Sequence, residues 1–492
     1  MKKLKSLMFV GTASDVGKSI INAGFCRILA QDGYHPAPFK AQNMSLNSYV
    51  TKQGLELGRA QAVQAEAAGI DCLSDMNPVL LKPTSEQASQ VVLHGKPLGN
   101  RSAFDYFAHN KAELFAAVTQ SYDRLAQQYN PIVIEGAGSI SELNLKKRDI
   151  TNMRIALHAQ ADTYLISDIE RGGVFGSVYG TIALLPPEER RLIKGIIVNK
   201  FRGDARLFED GRQMLEDITG VPVVGVLPYF TDIHIEEEDA LGLEKRNQQA
   251  QAGVVNVAVV LLRRLSNFTD FDVLEKDPRV NLYYTNHPEE IRKADIAILP
   301  GSKNVIQDLN DIKRNGAAQA IVELHKNHKT VVGICGGYQM LGQYIEDPHC
   351  VEGNLTHCRG LGIFPLKTVL TTEKTTLQRN FHFDQSQVLC QGYEIHMGKT
   401  EVIEEVPGLQ PLNRLTDNST EGYQLNNDTW GTYMHGILDN PVVIDRLLAR
   451  FNPQTTPQHF DYQEFKETQY NKLADYLRTH IDIDYIYKEL LD

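Results

Sequence analysis

Cys335 stands in Val331-Val332-Gly333-Ile334-Cys335-Gly336-Gly337-Tyr338-Gln339, between an apolar run and a helical pattern, with glycines close on both sides. A sharp strand-to-helix turn exposes such a side chain, and the helix N-terminus lowers the thiol pKa and supplies N–H donors. This is the setting of a thiolate nucleophile. The other five cysteines (26, 72, 350, 358 and 390) lack it and read as small core residues, and no C-x-x-C pair suggests zinc or redox chemistry. A nucleophile needs a base. His435, in Tyr433-Met434-His435-Gly436 after an expected strand, is preferred; His396, in Gly392-Tyr393-Glu394-Ile395-His396-Met397-Gly398, reads as a strand histidine or as a contact between active sites. Leu299-Pro300-Gly301-Ser302-Lys303 is either a simple β-turn or the place where the Gly301 N–H joins that of Gly336 in an oxyanion hole.

A second chemistry is written at the N-terminus. Gly11-Thr12-Ala13-Ser14-Asp15-Val16-Gly17-Lys18-Ser19 follows a strand pattern and opens a helix. Backbone N–H groups of such a loop cradle phosphates, Lys18 would neutralise them, and Ser19 can sit on Mg²⁺. Five residues separate Gly11 from Gly17, one more than in the common phosphate loop. Glu135, in Glu135-Gly136-Ala137-Gly138-Ser139, closes another strand and is read as a second Mg²⁺ contact or as part of a packing turn. Asp168-Ile169-Glu170-Arg171-Gly172-Gly173 and Asn199-Lys200 mark two further strand ends. Phe39-Lys40-Ala41-Gln42-Asn43-Met44-Ser45 is amide-rich, either a capped surface loop or a polar wall in which Gln42 and Asn43 meet a substrate rich in carboxylates and amides.

These groups require a scaffold that brings strand ends together. Apolar β-branched runs at Ser6–Val10, Ile132–Glu135, Thr163–Ser167, Gly195–Asn199 and Val223–Leu227 alternate with helical patterns, the rhythm of a parallel sheet covered on both faces. Residues 85–130 read as mostly helical, with no strand after Val91–Leu93. A polar stretch from Glu236 through Gln249 interrupts the series. A second α/β series opens at Val254–Leu262 and continues through Ile296–Leu299 and Val331–Ile334 into a hairpin-rich region at 360–435. The expected organisation is a two-domain α/β protein. Residues 1–240 form an ATP-binding parallel-sheet domain, 241–252 a linker, 253–445 a hydrolase domain, and 446–492 a helical extension packing on the second domain.

With 492 residues the chain has room for two or three domains. Its 50 basic and 61 acidic side chains give a net charge of −11, which argues against nucleic acid or an anionic membrane as main partner. The basic start, Met1-Lys2-Lys3-Leu4-Lys5, runs into the phosphate loop too soon for a signal peptide, and the run Val257–Leu262 is far short of a membrane span. A soluble, cytoplasmic protein is expected.

Gly333–Gly337 with a later histidine resembles the triad-type glutamine amidotransferases, and Gly11–Ser19 resembles the dethiobiotin-synthetase-like ATPases. Taken with Lys40–Ser48, Arg148-Asp149-Ile150-Thr151-Asn152-Met153, Asp168–Gly173 and Gly392–Gly398, the chain from about 4 to 445 closely resembles the cobyric acid synthase family. The resemblance implies ATP- and glutamine-dependent amidation of the b, d, e and g carboxylates of adenosylcobyrinic acid a,c-diamide. Ammonia would come from glutamine through a Cys335 thioester with His435 as base, and the acceptor would be activated as an acyl phosphate. It further implies ATP on Gly11, Thr12, Asp15, Val16, Gly17, Lys18 and Ser19, with Asn199 on the adenine side, Mg²⁺ on Ser19 and Glu135, and Asp149 near the acceptor. The partner implied is a small corrinoid; the oligomeric state is open, a homo-oligomer included. Where amidotransferases carry a glutamate two residues after the histidine, Ile437 stands, so Asp439, another acid or no third group serves. Two other readings remain: a related a,c-diamide synthase acting on two carboxylates, which Lys40–Ser48 and Gly392–Gly398 fit less well, and a ParA/MinD-like nucleotide switch or scaffold with a degenerate hydrolase domain.

Overall fold

The computed structural model describes residues 2–83, 88–102, 111–236, 247–352, 355–451 and 460–491. Residues 241–246 of the expected linker lie outside them. A six-stranded, all-parallel sheet forms the first half, in the order Val223–Pro228, Ile193–Phe201, Asp162–Asp168, Leu7–Gly11, Ile132–Glu135 and Ala37–Phe39. Alternate residues explain why both faces are covered. Met8, Val10, Ile132 and Leu165 enter one apolar cluster, and Leu7, Phe9, Val133 and Ile166 enter another. Each expected strand is present within a residue or two. Ala37–Phe39 escapes the pattern because it is short and carries a proline, tolerated at a sheet edge.

Between these core strands lies a four-stranded sheet of Gln42–Met44, Val79–Pro83, Ala88–Leu93 and Lys96–Ser102. The last strand corrects the helical reading of 85–130: a tight turn at His94 and Gly95 returns the chain, and Pro97 and Gly99 hide its strand character. The long helix of this region is Lys111–Gln128.

The second half holds a ten-stranded sheet. Val280–Thr285, Val255–Val260, Ile296–Leu299, Thr330–Ile334 and Thr429–Thr432 are parallel. Thr420–Asn426, Gln410–Leu415, Thr375–Phe383 and Leu389–His396 continue it antiparallel, and Met434–His435 pairs with the last of these. The sheet thereby curls until its far edge returns beside the parallel strand ends.

The C-terminal extension corrects one expectation. Helix Pro441–Leu448 buries Val443 and Leu447 in the second-domain core, but helix Tyr462–His480 crosses back and places Leu473, Ala474 and Leu477 against Phe25 and Leu29 of the first. The two helices meet closely at Gly24, where a Cβ would lie 2.2 Å from Leu477 Cδ1 and that side chain would have to shift. Among the described residues no helix is long and apolar enough to cross a membrane.

Candidate active sites

The strand Thr330–Ile334 is wholly buried and ends at Cys335, whose φ of 53° and ψ of −110° form the elbow before helix Gly336–Leu341. A non-glycine residue held at such angles stores strain of about 1–3 kcal/mol, which the surroundings must enforce. Here the Cys335 N–H donates to Thr432 O at 2.7 Å, and its carbonyl accepts from Gln339 N at 3.1 Å. Gly337 admits no side chain, because a Cβ would sit 2.0 Å from Leu299 O. A Cβ on Gly336 would meet Ser302 N at 2.8 Å, so the Gly301–Ser302 strand lies directly over the elbow. Cys335 is buried, yet it lines a cavity of about 50 Å³ together with His435, Ser302 and Gln339.

His435 is fully enclosed. Its Nδ1 is 2.6 Å from Asp270 Oδ2, and Gly436 N donates to Asp270 Oδ1 at 2.9 Å. With Nδ1 donating to Asp270, Nε2 is left for Cys335. Burial works against the imidazolium, but the Asp270 carboxylate, with the Cys335 sulfur beside it, overcomes burial and raises the His435 pKa to about 10. Tyr393 stacks on the ring at 5.4 Å. Glu421 fixes the approach to the histidine by accepting from Thr432 Oγ1 at 2.6 Å and from the Tyr433 N–H.

Asp439 is not the group on His435. It ends the turn Ile437–Asp439, where burial pushes its carboxyl up to about 7 and Lys466 works against that rise. The Nδ1 of the ring is taken by Asp270, which arrives from the turn Phe268–Phe271, in the segment that follows strand Val255–Val260. No local pattern in the sequence marks Asp270, which follows the parallel strand Val255–Val260 only after a further short strand, Leu265–Ser266. His396 lines the same cavity, but its Nε2 faces Glu394 at 3.1 Å and its ring stacks on Tyr433 at 3.7 Å.

In the first domain, strand Leu7–Gly11 delivers the loop that ends with Gly17 at φ 100° and helix Lys18–Gln31. Lys18 Nζ is bound by Ala13 O at 2.9 Å and Gly138 O at 3.0 Å, so the loop curls around its own ammonium. Ser19 Oγ donates to Glu135 Oε1 at 2.8 Å, and Lys40 Nζ meets the same oxygen at 2.8 Å. Gln64 Nε2 donates to Glu135 Oε2 at 2.6 Å. Burial favours the neutral acid, but Lys40 and these hydrogen bonds hold the Glu135 carboxyl below its usual range. Thr12 Oγ1 donates to Ser167 Oγ at 3.1 Å, and Lys200 Nζ reaches Asp15 O at 2.6 Å and Asp168 at 3.0 Å.

A cavity of about 900 Å³ opens over this loop. Lys18, Ser19, Glu135, Gln42, Asn43 and Asp149 all line it, which brings the expected phosphate, metal and acceptor residues into one space. Asp149 Oδ1 also accepts from Thr151 N at 2.7 Å and so shapes its own loop. Asn199 stands differently. Its Nδ2 donates to Val16 O at 2.8 Å and its Oδ1 accepts from Lys200 N, so its amide braces the phosphate loop. Lys40 and Gln64 carry no local sequence mark of a site residue, because their side chains reach a carboxylate distant in the chain.

A strained cysteine beside a histidine–aspartate pair, joined to a phosphate loop on a parallel sheet, defines the class of ATP-dependent, glutamine-hydrolysing ligases. Residues 7–242 match the family model described as the CobQ/CobB/MinD/ParA nucleotide binding domain, and residues 256–443 match the CobB/CobQ-like glutamine amidotransferase domain. The cobyric acid synthase of Parabacteroides distasonis is 60% identical over 99% of both chains. That of Bacteroides fragilis is 58% identical over 100% of this chain and 99% of its own, and that of Phocaeicola vulgatus 55% over 99% and 98%. The chain belongs to the cobyric acid synthase family.

Proposed function

We propose that the chain converts adenosylcobyrinic acid a,c-diamide to adenosylcobyric acid by amidating the b, d, e and g carboxylates, with glutamine as nitrogen donor and ATP as activator. The observation that carries this reading is the His435–Asp270 pair beside Cys335 in one half and the Ser19–Glu135 pair beside the Lys18 loop in the other, in a chain whose full-length relatives are named cobyric acid synthases.

In the second domain the Cys335 thiolate attacks the glutamine carboxamide carbon. The N–H groups of Gly336 and of Gly301 or its neighbour Ser302 face the developing oxyanion. The C–N bond breaks as the His435 imidazolium gives its proton to the departing ammonia, leaving a thioester. Water, deprotonated by His435, hydrolyses the thioester to glutamate and restores the thiolate. Asp270 holds the imidazole in its tautomer and stabilises its cation.

In the first domain the acceptor carboxylate, held beside Gln42 and Asn43 in the cavity that Asp149 also lines, attacks the γ-phosphorus of ATP. ADP leaves and an acyl phosphate forms. Ammonia attacks its carbonyl carbon, and phosphate departs as the amide forms. Lys18 exchanges its loop carbonyls for phosphate oxygens and neutralises them. Ser19 and Glu135 would hold Mg²⁺, which when bound adds positive charge to the phosphates. Their donors are oxygens only, which suits that cation, and Glu135 Oε1 already accommodates the Lys40 ammonium. Among the described residues no group of three or more His, Cys, Asp or Glu side chains could hold a metal ion, in keeping with an ion held largely by the nucleotide and water.

Mass spectrometry of the corrinoid diamide after incubation with enzyme, ATP and glutamine tests the reading. Four successive replacements of –OH by –NH₂ are expected. An unchanged substrate would sink it, and a starting cobyrinic acid converted only to its a,c-diamide would favour the diamide synthase reaction.

A further inference from the structure

The residues Lys40 to Ser48 touch both candidate sites. At one end Lys40 binds Glu135, and Gln42 and Asn43 line the cavity over the phosphate loop. At the other end Asn47 and Ser48, themselves held by Arg59 N and Lys82 of their own domain, reach the second domain. Phe268 N donates to Asn47 Oδ1 at 3.1 Å, and Ser48 N donates to Asn267 Oδ1 at 3.1 Å. The Tyr393 hydroxyl, on the ring stacked against His435, donates to Ser48 O at 3.2 Å. Asn47, Ser48, Asn267 and Phe268 are each at most 2% exposed.

The gripped turn is the one that carries the histidine's partner. Asn267 sits at φ 54° immediately before the single turn Phe268–Phe271, so Asp270 lies three residues beyond the contact. Phe268 and Phe271 seat this turn in the second-domain core, and a restraint on its first residues from the opposite side sets where Asp270 points. Two reciprocal hydrogen bonds from the other domain supply that restraint here.

We infer that Asn47 is a positioning residue for the glutaminase reaction: the first domain, through the Asn47–Ser48 clasp, sets the turn that holds Asp270 against His435. The glutaminase site is therefore completed only when the second domain is seated on the first. The inference rests on the proposed glutaminase role of Cys335, His435 and Asp270. Asn47 contacts none of the reacting groups and acts through the Phe268 N–H.

The test uses the full-length enzyme and two assays, glutamine hydrolysis and ATP-dependent amidation of the corrinoid diamide with ammonium chloride. Asn47→Ala is expected to lower kcat for glutamine hydrolysis on the order of tenfold, since small displacements of a catalytic pair are costly, with KM for glutamine held. Ammonium-dependent amidation should be unchanged, which also reports that the protein is folded. Asn47→Asp retains the oxygen that accepts from Phe268 and should recover most of the lost kcat. An unchanged kcat in Asn47→Ala would overturn the inference, as would an equal fall in both assays without recovery in Asn47→Asp. Cys335→Ala, run alongside, separates the two claims: residual glutamine hydrolysis in that variant would remove the glutaminase reading itself.

Discussion

Around Cys335 the acting groups are side chains already in contact with one another, gathered at a cavity of about 50 Å³. Around Lys18 they are backbone carbonyls, ammonium groups and one buried carboxylate facing about 900 Å³. The first arrangement suits a small substrate met in a single pose, where strain at the elbow and the short His435–Asp270 bond fix the geometry in advance. On the proposed reaction, the second suits a bulky substrate that must present several carboxylates in turn to one phosphate position. Its charges are correspondingly held in provisional pairs, Lys18 with loop carbonyls and Glu135 with Lys40. Preorganisation is concentrated where the substrate is constant, and space is kept where it varies.

The largest break in this comparison should come from Cys335→Ala. Glutamine-dependent amidation is expected to fall by about 10⁵-fold, as for other lost nucleophiles, while amidation with added ammonium salt persists. Asp270→Asn should lower glutamine hydrolysis by about 10³-fold through loss of the correct histidine tautomer, again sparing the ammonium-dependent reaction. Asp439→Asn, which leaves the pair intact, should keep glutamine hydrolysis within about twofold of the parent. An equal loss in both aspartate variants would contradict the assignment of Asp270.

Lys18→Ala should do the reverse of the cysteine variant. A loss of about 10²–10³-fold in ATP-dependent amide synthesis is expected, with glutamine hydrolysis retained. The smallest effect is one of stability. The His435 pKa is raised from 6.5 to about 10, so the stabilisation from its cation is fully present below pH 6.5 and is lost as pH rises through about 10. The difference in melting temperature between parent and Asp270→Asn should therefore be larger at pH 6 than at pH 10.5. A gap that widens with pH would show that the histidine is not held as a cation by that carboxylate.

What the sequence disclosed follows from how far each signal reaches. Cys335, Gly11–Ser19 and the five core strands of the first sheet are local grammar, in which an apolar run, a glycine turn and a helix start are neighbours in the chain. His435 was legible because a strand and a glycine mark it. Asp270 lies 165 residues before the histidine it serves, and no periodicity or spacing encodes that meeting. Asp439 is near His435 in sequence, but the carboxylate on the ring is Asp270. Lys40 and Gln64 likewise meet Glu135 only through the tertiary fold. The helix Tyr462–His480 was legible as a helix, but its destination, the apolar face of helix Lys18–Gln31, lies at the other end of the sequence and is marked by no local pattern.

That returning helix changes what a split of the chain would yield. The polypeptide starts in the first domain, builds the second, and then comes back to lay Tyr462–His480 across the opening helix Lys18–Gln31, with Arg27 paired to Glu467 at 2.7 Å and Arg478 to Asp32 at 2.6 Å. Dividing the gene between codons 237 and 246 would therefore not create two independent modules. The downstream fragment would carry an arm belonging to the upstream one, and each would be left with an apolar face made for the other. Co-production should restore the pair as a non-covalent heterodimer, whereas either fragment produced alone should be poorly soluble.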